Sequence, residues 1–312
     1  MPVAPIPSAA RVLLVAGTHG NEPNAPWLHH HWQQYPEELQ KQGLEVITLV
    51  GNPTALAQNR RYIDRDLNRS FRSDLLQNAT NQEWELQRAR QILSLYGPEG
   101  NTPTPVLIDL HSTTAAMGAC LVIYGERPAD LALAAACQSA LGLPIYLHGS
   151  DAKQDGFMVK AWPCGLVLEV GPVAQGVLCP KIWAQTRLGV NSLLEVLAKA
   201  KLGNLKLPKF LWVHRHLGSV DLPRDGAGVP TACLHPKRLE GDWRPIKNGD
   251  PLFLKPNGTV DLFETDQTAP LFTVFSNEAA YQEKHIALSL TRRERLNCDQ
   301  NWAKALMALL QG

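Results

Sequence analysis

Hydrophobic positions along this chain follow two rhythms. In the first two thirds, short continuous apolar runs alternate with amphipathic stretches. Val12–Ala16, Leu44–Val50, Pro105–His111, Cys120–Tyr124, Ile145–Leu147 and Gly165–Pro172 read as strands, most of them apolar on both faces. Between them, Pro26–Gln40, Asn81–Tyr96, Ala129–Leu141 and Lys181–Lys201 read as helices, with Asn81 as a cap and Gly97-Pro98 as a stop. Continuous apolar strands alternating with helices predict a largely parallel sheet covered on both faces. Beyond Gly203–Pro208 the segments shorten. Asn248-Gly249 and Asn257-Gly258 mark turns, the second closing a hairpin between Leu252–Leu254 and Val260–Phe263, and a last helix runs from about Asn301 to Leu310. The expected division is an α/β unit over residues 1–203 and a smaller β-rich unit over residues 204–312.

The composition, 45% hydrophobic and 19% charged over 312 residues, is that of a soluble globular chain. No apolar run reaches the roughly 18 residues of a membrane span. Met1–Pro7 lacks the basic start and apolar core of a signal peptide. A formal net charge of +1 gives no global field for nucleic acid or anionic membranes. The six cysteines contain no Cys-x-x-Cys pair, so reduced thiols in a cytoplasmic protein are expected.

Polar residues sit where the apolar strands stop. His19 and Glu22 lie three apart in the turn Gly17-Thr18-His19-Gly20-Asn21-Glu22, and His111 ends another strand. Taken singly, the first pair reads as a polar loop and His111 as a core histidine bonded to the backbone. Taken together at the carboxyl edge of a parallel sheet, where ligands bind, they form the ligand set of a hydrolytic zinc site with one open position. Glu169 also ends a core strand. A carboxylate there suits a general base with a raised pKa, and a structural pairing with an arginine suits it equally. Arg60–Arg69 carries four arginines and two aspartates around Tyr62 and Asn68. The interleaved acids argue against phosphate-backbone binding, and the planar guanidinium fits a carboxylate, so the segment reads as a substrate clamp.

Other polar motifs read as incidental. His29-His30-His31 point in different directions on a helix. His214-x-His216 shares a strand face but lacks a third ligand, and is expected at a surface or interface. Asn68-Arg69-Ser70 is a formal glycosylation acceptor without a secretory context.

Five motifs occur in order: Gly17-Thr18-His19-Gly20-Asn21-Glu22, Arg61-Tyr62-Ile63-Asp64-x-Asp66-Leu67-Asn68-Arg69, Asp109-Leu110-His111-x-Thr113-Thr114, Glu169-Val170-Gly171-Pro172 and Asn277-Glu278-Ala279-Ala280-Tyr281. With His235-Pro236 and Gly249-Asp250-Pro251, they resemble the aspartoacylase family over nearly the whole chain. That family belongs to a wider zinc-carboxypeptidase-like group that also contains the succinylglutamate desuccinylases.

The resemblance implies a zinc-carboxypeptidase-like α/β fold, with the β-rich C-terminal unit capping the active site, and one Zn2+ per chain. It implies that His19, Glu22 and His111 hold the metal and that Glu169 is the base that later serves as acid. Arg61 would polarise the scissile carbonyl, Asn68 and Arg69 would hold the substrate carboxylate, Asp66 would orient the arginines, and Tyr281 would reach the substrate from the C-terminal unit. The expected activity is deacylation of N-acetyl-L-aspartate by a water activated at zinc, with another N-acyl amino acid such as N-succinylglutamate as the alternative substrate. The partner is thus a small molecule, with neither nucleic acid nor membrane expected. Relatives often associate, so a homo-oligomer is compatible with the sequence. One departure bears on the substrate. Family members that use acetylaspartate carry a further arginine shortly before Glu-Val-Gly-Pro, where this chain offers only Lys153 and Lys160 between Asp151 and Leu168.

Overall fold

Six of the strands follow from the apolar runs: β1 (Ala10–Ala16), β2 (Leu44–Val50), β3 (Val106–Ser112), β4 (Ala119–Tyr124), β5 (Ile145–His148) and β6 (Cys164–Val170). The structure, a computed structural model, describes residues 10–78, 80–149, 155–239 and 241–311. Seven further strands come from the C-terminal third: β7 (Phe210–Val220), β8 (Cys233–Leu234), β9 (Pro245–Ile246), β10 (Pro251–Leu254), β11 (Val260–Leu262), β12 (Leu271–Val274) and β13 (Leu288–Asn297). The helices are α1 (Asn24–Gln34), α2 (Pro53–Ala57), α3 (Ser73–Gln77), α4 (Trp84–Tyr96), α5 (Pro128–Leu141), α6 (Pro180–Lys201), α7 (Pro236–Leu239) and α8 (Gln300–Gln311).

Ten strands form one sheet in the order β2-β1-β3-β6-β4-β5-β7-β13-β12-β9. Pairing is parallel from β2 through β1 and β3 to β6, antiparallel between β6 and β4, and parallel again through β5 to β7. From β7 onward it is antiparallel. Helices flank the sheet, and β8, β10 and β11 form a separate antiparallel sheet that includes the expected hairpin.

Over the N-terminal part of the sheet both faces are buried, because its strands are largely apolar. On β1, Val12 and Leu14 join one core with Leu28 and Trp32 of α1, Leu193 of α6 and Leu306 of α8. Leu13 and Val15 point the other way, into a second core with Ala89 and Ile92 of α4. Helix α8 thus returns from the end of the chain to pack on the N-terminal half. Among the described residues no helix is long and apolar enough to cross a membrane.

Local departures from the sequence reading have local causes. The helix expected over Pro26–Gln40 stops at Gln34, and a separate 3-10 turn covers Pro36–Leu39, because Pro36 lacks an N–H and disfavours helical geometry at Tyr35. Asn81 does not cap α4. Its Oδ1 accepts the Glu83 N–H at 3.0 Å, one turn ahead of the helix. The loop after β2 contains α2, started by Pro53 and capped by Asn52, whose Oδ1 accepts the Ala55 N–H at 3.2 Å.

The incidental histidines separate as well. His29 is buried, while His31 pairs with Glu38 at 3.0 Å. His214 is not at a surface: it is buried against Trp243 and Phe272. His216 stacks instead on His148, with ring centres 4.9 Å apart.

Candidate active site

Strand order brings the chemistry together. β1, β3 and β6 are consecutive neighbours, so the turn after β1, the end of β3 and the end of β6 share one edge. His111 and Glu169 are direct partners in the β3–β6 register. The turn after β1 is drawn inward by its glycines. Gly17 has φ +67°, and a Cβ on Gly20 would lie 2.1 Å from the backbone of Ala55 in α2. That close approach lets Gly20 N–H donate to the Arg61 carbonyl at 3.2 Å and sets His19 beside the arginine-rich loop.

His19, Glu22 and His111 are buried, with one ligand atom of each within 4.8 Å of the others. Glu22 Oε1 lies 2.7 Å from His19 Nδ1, and Glu22 Oε2 lies 3.1 Å from His111 Nδ1. The far nitrogen of each ring faces another carboxylate: His19 Nε2 meets Asp66 Oδ1 at 2.9 Å, and His111 Nε2 meets Asp109 Oδ2 at 2.7 Å. Thr18 Oγ donates to the other oxygen of Asp109 at 2.6 Å. A carboxylate behind each ring fixes the Nε2–H tautomer. The two Nδ1 lone pairs then converge with the Glu22 oxygens on one point, an arrangement that repels itself unless a cation sits among them. The donor set therefore fits a metal ion, and two imidazoles with one carboxylate are what zinc accepts.

The carboxylates around the rings favour positive charge at this point. Burial alone would push His111 down, but Asp109 and Glu22 hold it well above its ordinary value. Burial alone would raise Glu22, and His19 and His111 overcome it to leave the carboxyl below the usual range.

Arg61 spans the group, donating to Glu22 Oε1 at 3.4 Å and to Asp66 Oδ2 at 3.2 Å. Its loop is held from beneath by Glu85 of α4, which accepts the backbone N–H groups of Ile63, Asp64 and Arg65 at 2.6, 3.0 and 3.1 Å. For Asp66, burial is again outweighed, by His19 and Arg61, and its carboxyl stays well below the usual range. Glu169 differs from both acids. Among the described residues no arginine forms an ion pair with it, and it stands partly open to the cavity. The low-dielectric surroundings push its carboxyl well above the ordinary value, against the pull of His111 and with the help of Glu22 and Glu278.

His19, Glu22, Arg61, Asn68, Arg69, His111, Glu169 and Tyr281 all line one cavity. Asp66 stands behind it, bonded to His19 and Arg61. The candidate metal ligands, the candidate base and the candidate clamp residues are thus gathered at one place. Lys160 is not among them, because it is exposed and paired with Asp155 at 2.7 Å. Lys153 lies outside the described residues.

Several site residues have no assigned part in the sequence reading. Asp109 carried a signal, since it precedes His111 by two on the same strand face. Glu278 was visible only as part of a motif. It crosses from the C-terminal third to accept hydrogen bonds from Thr113 Oγ, from Thr114 N–H and Oγ at 2.8 and 2.9 Å, and from Ala280 N–H at 3.0 Å. Tyr124, Tyr146, His148, Phe157 and Phe275 make an aromatic wall, and nothing in their spacing announces it.

A buried two-histidine, one-carboxylate group at the carboxyl edge of a mostly parallel sheet, beside a further carboxylate and a guanidinium, could hold a metal ion for a hydrolytic reaction. Residues 8–197 match the Succinylglutamate desuccinylase/Aspartoacylase catalytic domain, and residues 209–293 match the AstE/AspA barrel-sandwich hybrid domain. A protein of Prochlorococcus marinus (strain MIT 9313) described as a probable aspartoacylase is 55% identical, over 97% of this chain and 99% of its own length. Another so described, from Parasynechococcus marenigrum (strain WH8102), is 54% identical over 96% and 98%. The crystal structure of murine aminoacylase 3 superposes with a TM-score of 0.84 at 33% identity, covering 93% of this chain and 97% of that one. The chain belongs to the succinylglutamate desuccinylase/aspartoacylase family. It is accordingly a hydrolase of amide bonds.

Proposed function

We propose that this protein is a zinc-dependent deacylase of N-acyl amino acids and that it cleaves N-acetyl-L-aspartate to acetate and L-aspartate. The observation that carries the reading is the convergence of His19, Glu22 and His111, each ring backed by a carboxylate, beside the half-open carboxylate of Glu169. The names of the similar proteins, aspartoacylase and aminoacylase, point the same way.

Zinc held by His19, Glu22 and His111 would supply an acidified water and a Lewis acid for the acyl carbonyl. Glu169 accepts a proton from the attacking water as the new C–O bond forms, then delivers it to the amine nitrogen as the C–N bond breaks. Arg61, fixed by Glu22 and Asp66, donates to the carbonyl oxygen as it gains negative charge. Asn68 and Arg69 hold the carboxylate of the amino acid, and Tyr281 closes on it from the C-terminal side. The aromatic wall excludes bulk water, which strengthens each of these contacts. Its six free cysteines accord with a cytoplasmic setting.

A second reading of the substrate rests on that same wall. The cavity holds Tyr124, Tyr146, Phe157 and Phe275, and the one described lysine of the preceding stretch is turned outward to Asp155. Such a lining favours an acyl amino acid with an apolar or aromatic side chain. A panel of N-acetyl-L-aspartate, N-succinyl-L-glutamate, N-acetyl-L-leucine and N-acetyl-L-phenylalanine separates the readings. If the enzyme is built for acetylaspartate, kcat/KM for that substrate exceeds the others by roughly 10²-fold or more. The opposite ranking transfers the assignment to apolar substrates, and hydrolysis of none of the four refutes the deacylase reading.

A further inference from the structure

The segment ahead of β6 meets the stretch from Asn68 to Phe71 through three different contacts. The Met158 N–H donates to Asn68 Oδ1 at 3.0 Å. The Arg69 Cζ stands 3.9 Å from the centre of the Phe157 ring, within cation–π range. Between them, Phe71 N–H donates to the Gly156 carbonyl at 3.1 Å. Gly156 has φ +85°, and a Cβ there would lie 2.7 Å from the Arg69 carbonyl, so glycine is what permits so close an approach.

Phe157 is itself immobilised. It is 3% exposed, with the Tyr124 ring centre 3.9 Å away and the His148 ring centre 5.4 Å away. These contacts determine what the pair can offer a ligand. With Oδ1 of Asn68 taken by a backbone N–H, the amide presents its two N–H donors. Arg69 has one face covered by the ring and Nη1 on the Asn68 carbonyl at 2.9 Å. The guanidinium plane is thereby fixed before a ligand arrives, and a planar fork fixed in advance loses less freedom on binding a carboxylate.

We propose that Phe157 is a positioning residue for the carboxylate clamp, holding the Arg69 guanidinium in the orientation in which it takes the carboxylate of an N-acyl amino acid. The inference rests on the reading that Asn68 and Arg69 bind that carboxylate. Phe157 acts through Arg69, away from the scissile bond, so its removal affects affinity before chemistry.

The test compares Phe157→Leu, Phe157→Met and Phe157→Tyr with Arg69→Ala in the full-length, zinc-loaded enzyme. Each is assayed on the best substrate of the panel and on that substrate with its α-carboxylate amidated. Loss of the ring face in the Leu and Met variants raises KM for the carboxylate substrate roughly tenfold. For them kcat falls by a smaller factor than KM rises, and the amidated substrate is affected less than the carboxylate one. Phe157→Tyr, which keeps the face, restores KM. Thermal unfolding verifies that each variant is folded, and the Met variant, whose unbranched flexible chain adapts to the vacated space, decides if the Leu variant is not. The inference is overturned if Arg69→Ala raises KM while the Leu and Met variants do not. It is equally overturned if those variants slow both substrates alike. If Arg69→Ala itself leaves KM unchanged, the carboxylate reading fails and this inference falls with it.

Discussion

Replacing Glu169 with glutamine is expected to lower kcat by at least ~10³-fold while leaving zinc bound. The carboxylate stands opposite His111 in the strand register, no arginine among the described residues forms an ion pair with it, and burial raises its pKa. A group so placed can both take and return a proton, which a buried structural ion pair cannot. Glutamine keeps the shape and the hydrogen-bonding reach but has no titratable oxygen, so both proton transfers are lost together. His19, Glu22 and His111 are untouched by the change. Metal content should therefore match that of the parent protein, and KM should move little. Stoichiometric zinc with no turnover is the expected pair of results. Full activity in the glutamine variant would remove Glu169 from the mechanism.

The second large effect concerns Glu278. It is buried, and its carboxylate accepts the Thr113 hydroxyl, the Thr114 N–H and hydroxyl, the Ala115 N–H at 3.3 Å and the Ala280 N–H. These bonds join the loop after β3 to the turn that carries Tyr281 into the cavity. Glu278→Ala would leave several buried donors without a partner. Each orphaned group costs roughly 1–3 kcal/mol, so the variant should lose at least ~3 kcal/mol of stability. Denaturant unfolding measures that loss. Activity should fall in the fraction that stays folded, because Thr113 and Tyr281 both line the cavity. A variant that unfolds at the parental midpoint with parental kcat/KM would show that the crossing contact is dispensable.

Why some of this was legible and some not follows from the physics of each signal. The strands β1, β3 and β6 declare themselves because a strand buried on both faces has no polar position to spare until it ends. The polar residue that ends it is then conspicuous, which is how His111 and Glu169 stood out. Strand direction has no such signature: β4 is as apolar as its neighbours yet runs antiparallel to β6. β13 was hidden because its solvent-facing half reads as the charged stretch Arg292-Arg293-Glu294-Arg295, although it pairs with β7 along its whole length. Contacts between distant segments were hidden too. Glu85 supports the Arg61 loop from a helix, Glu278 meets Thr113 from 165 positions away, and Phe157 covers Arg69 from another strand's approach. Each is an ordinary residue in its own stretch, and only the fold makes it part of the site. The outward-turned Lys160 is the reverse case, a charge near the right motif that the fold directs to Asp155.

The most direct test of the central claim is release of L-aspartate from N-acetyl-L-aspartate by the purified protein, measured as isolated, after stripping with a chelator and after adding back zinc. The account predicts turnover that disappears on stripping and returns as zinc approaches one equivalent per chain. Undiminished turnover by the stripped protein would contradict it, because His19, Glu22 and His111 would then have no metal to hold for the reaction.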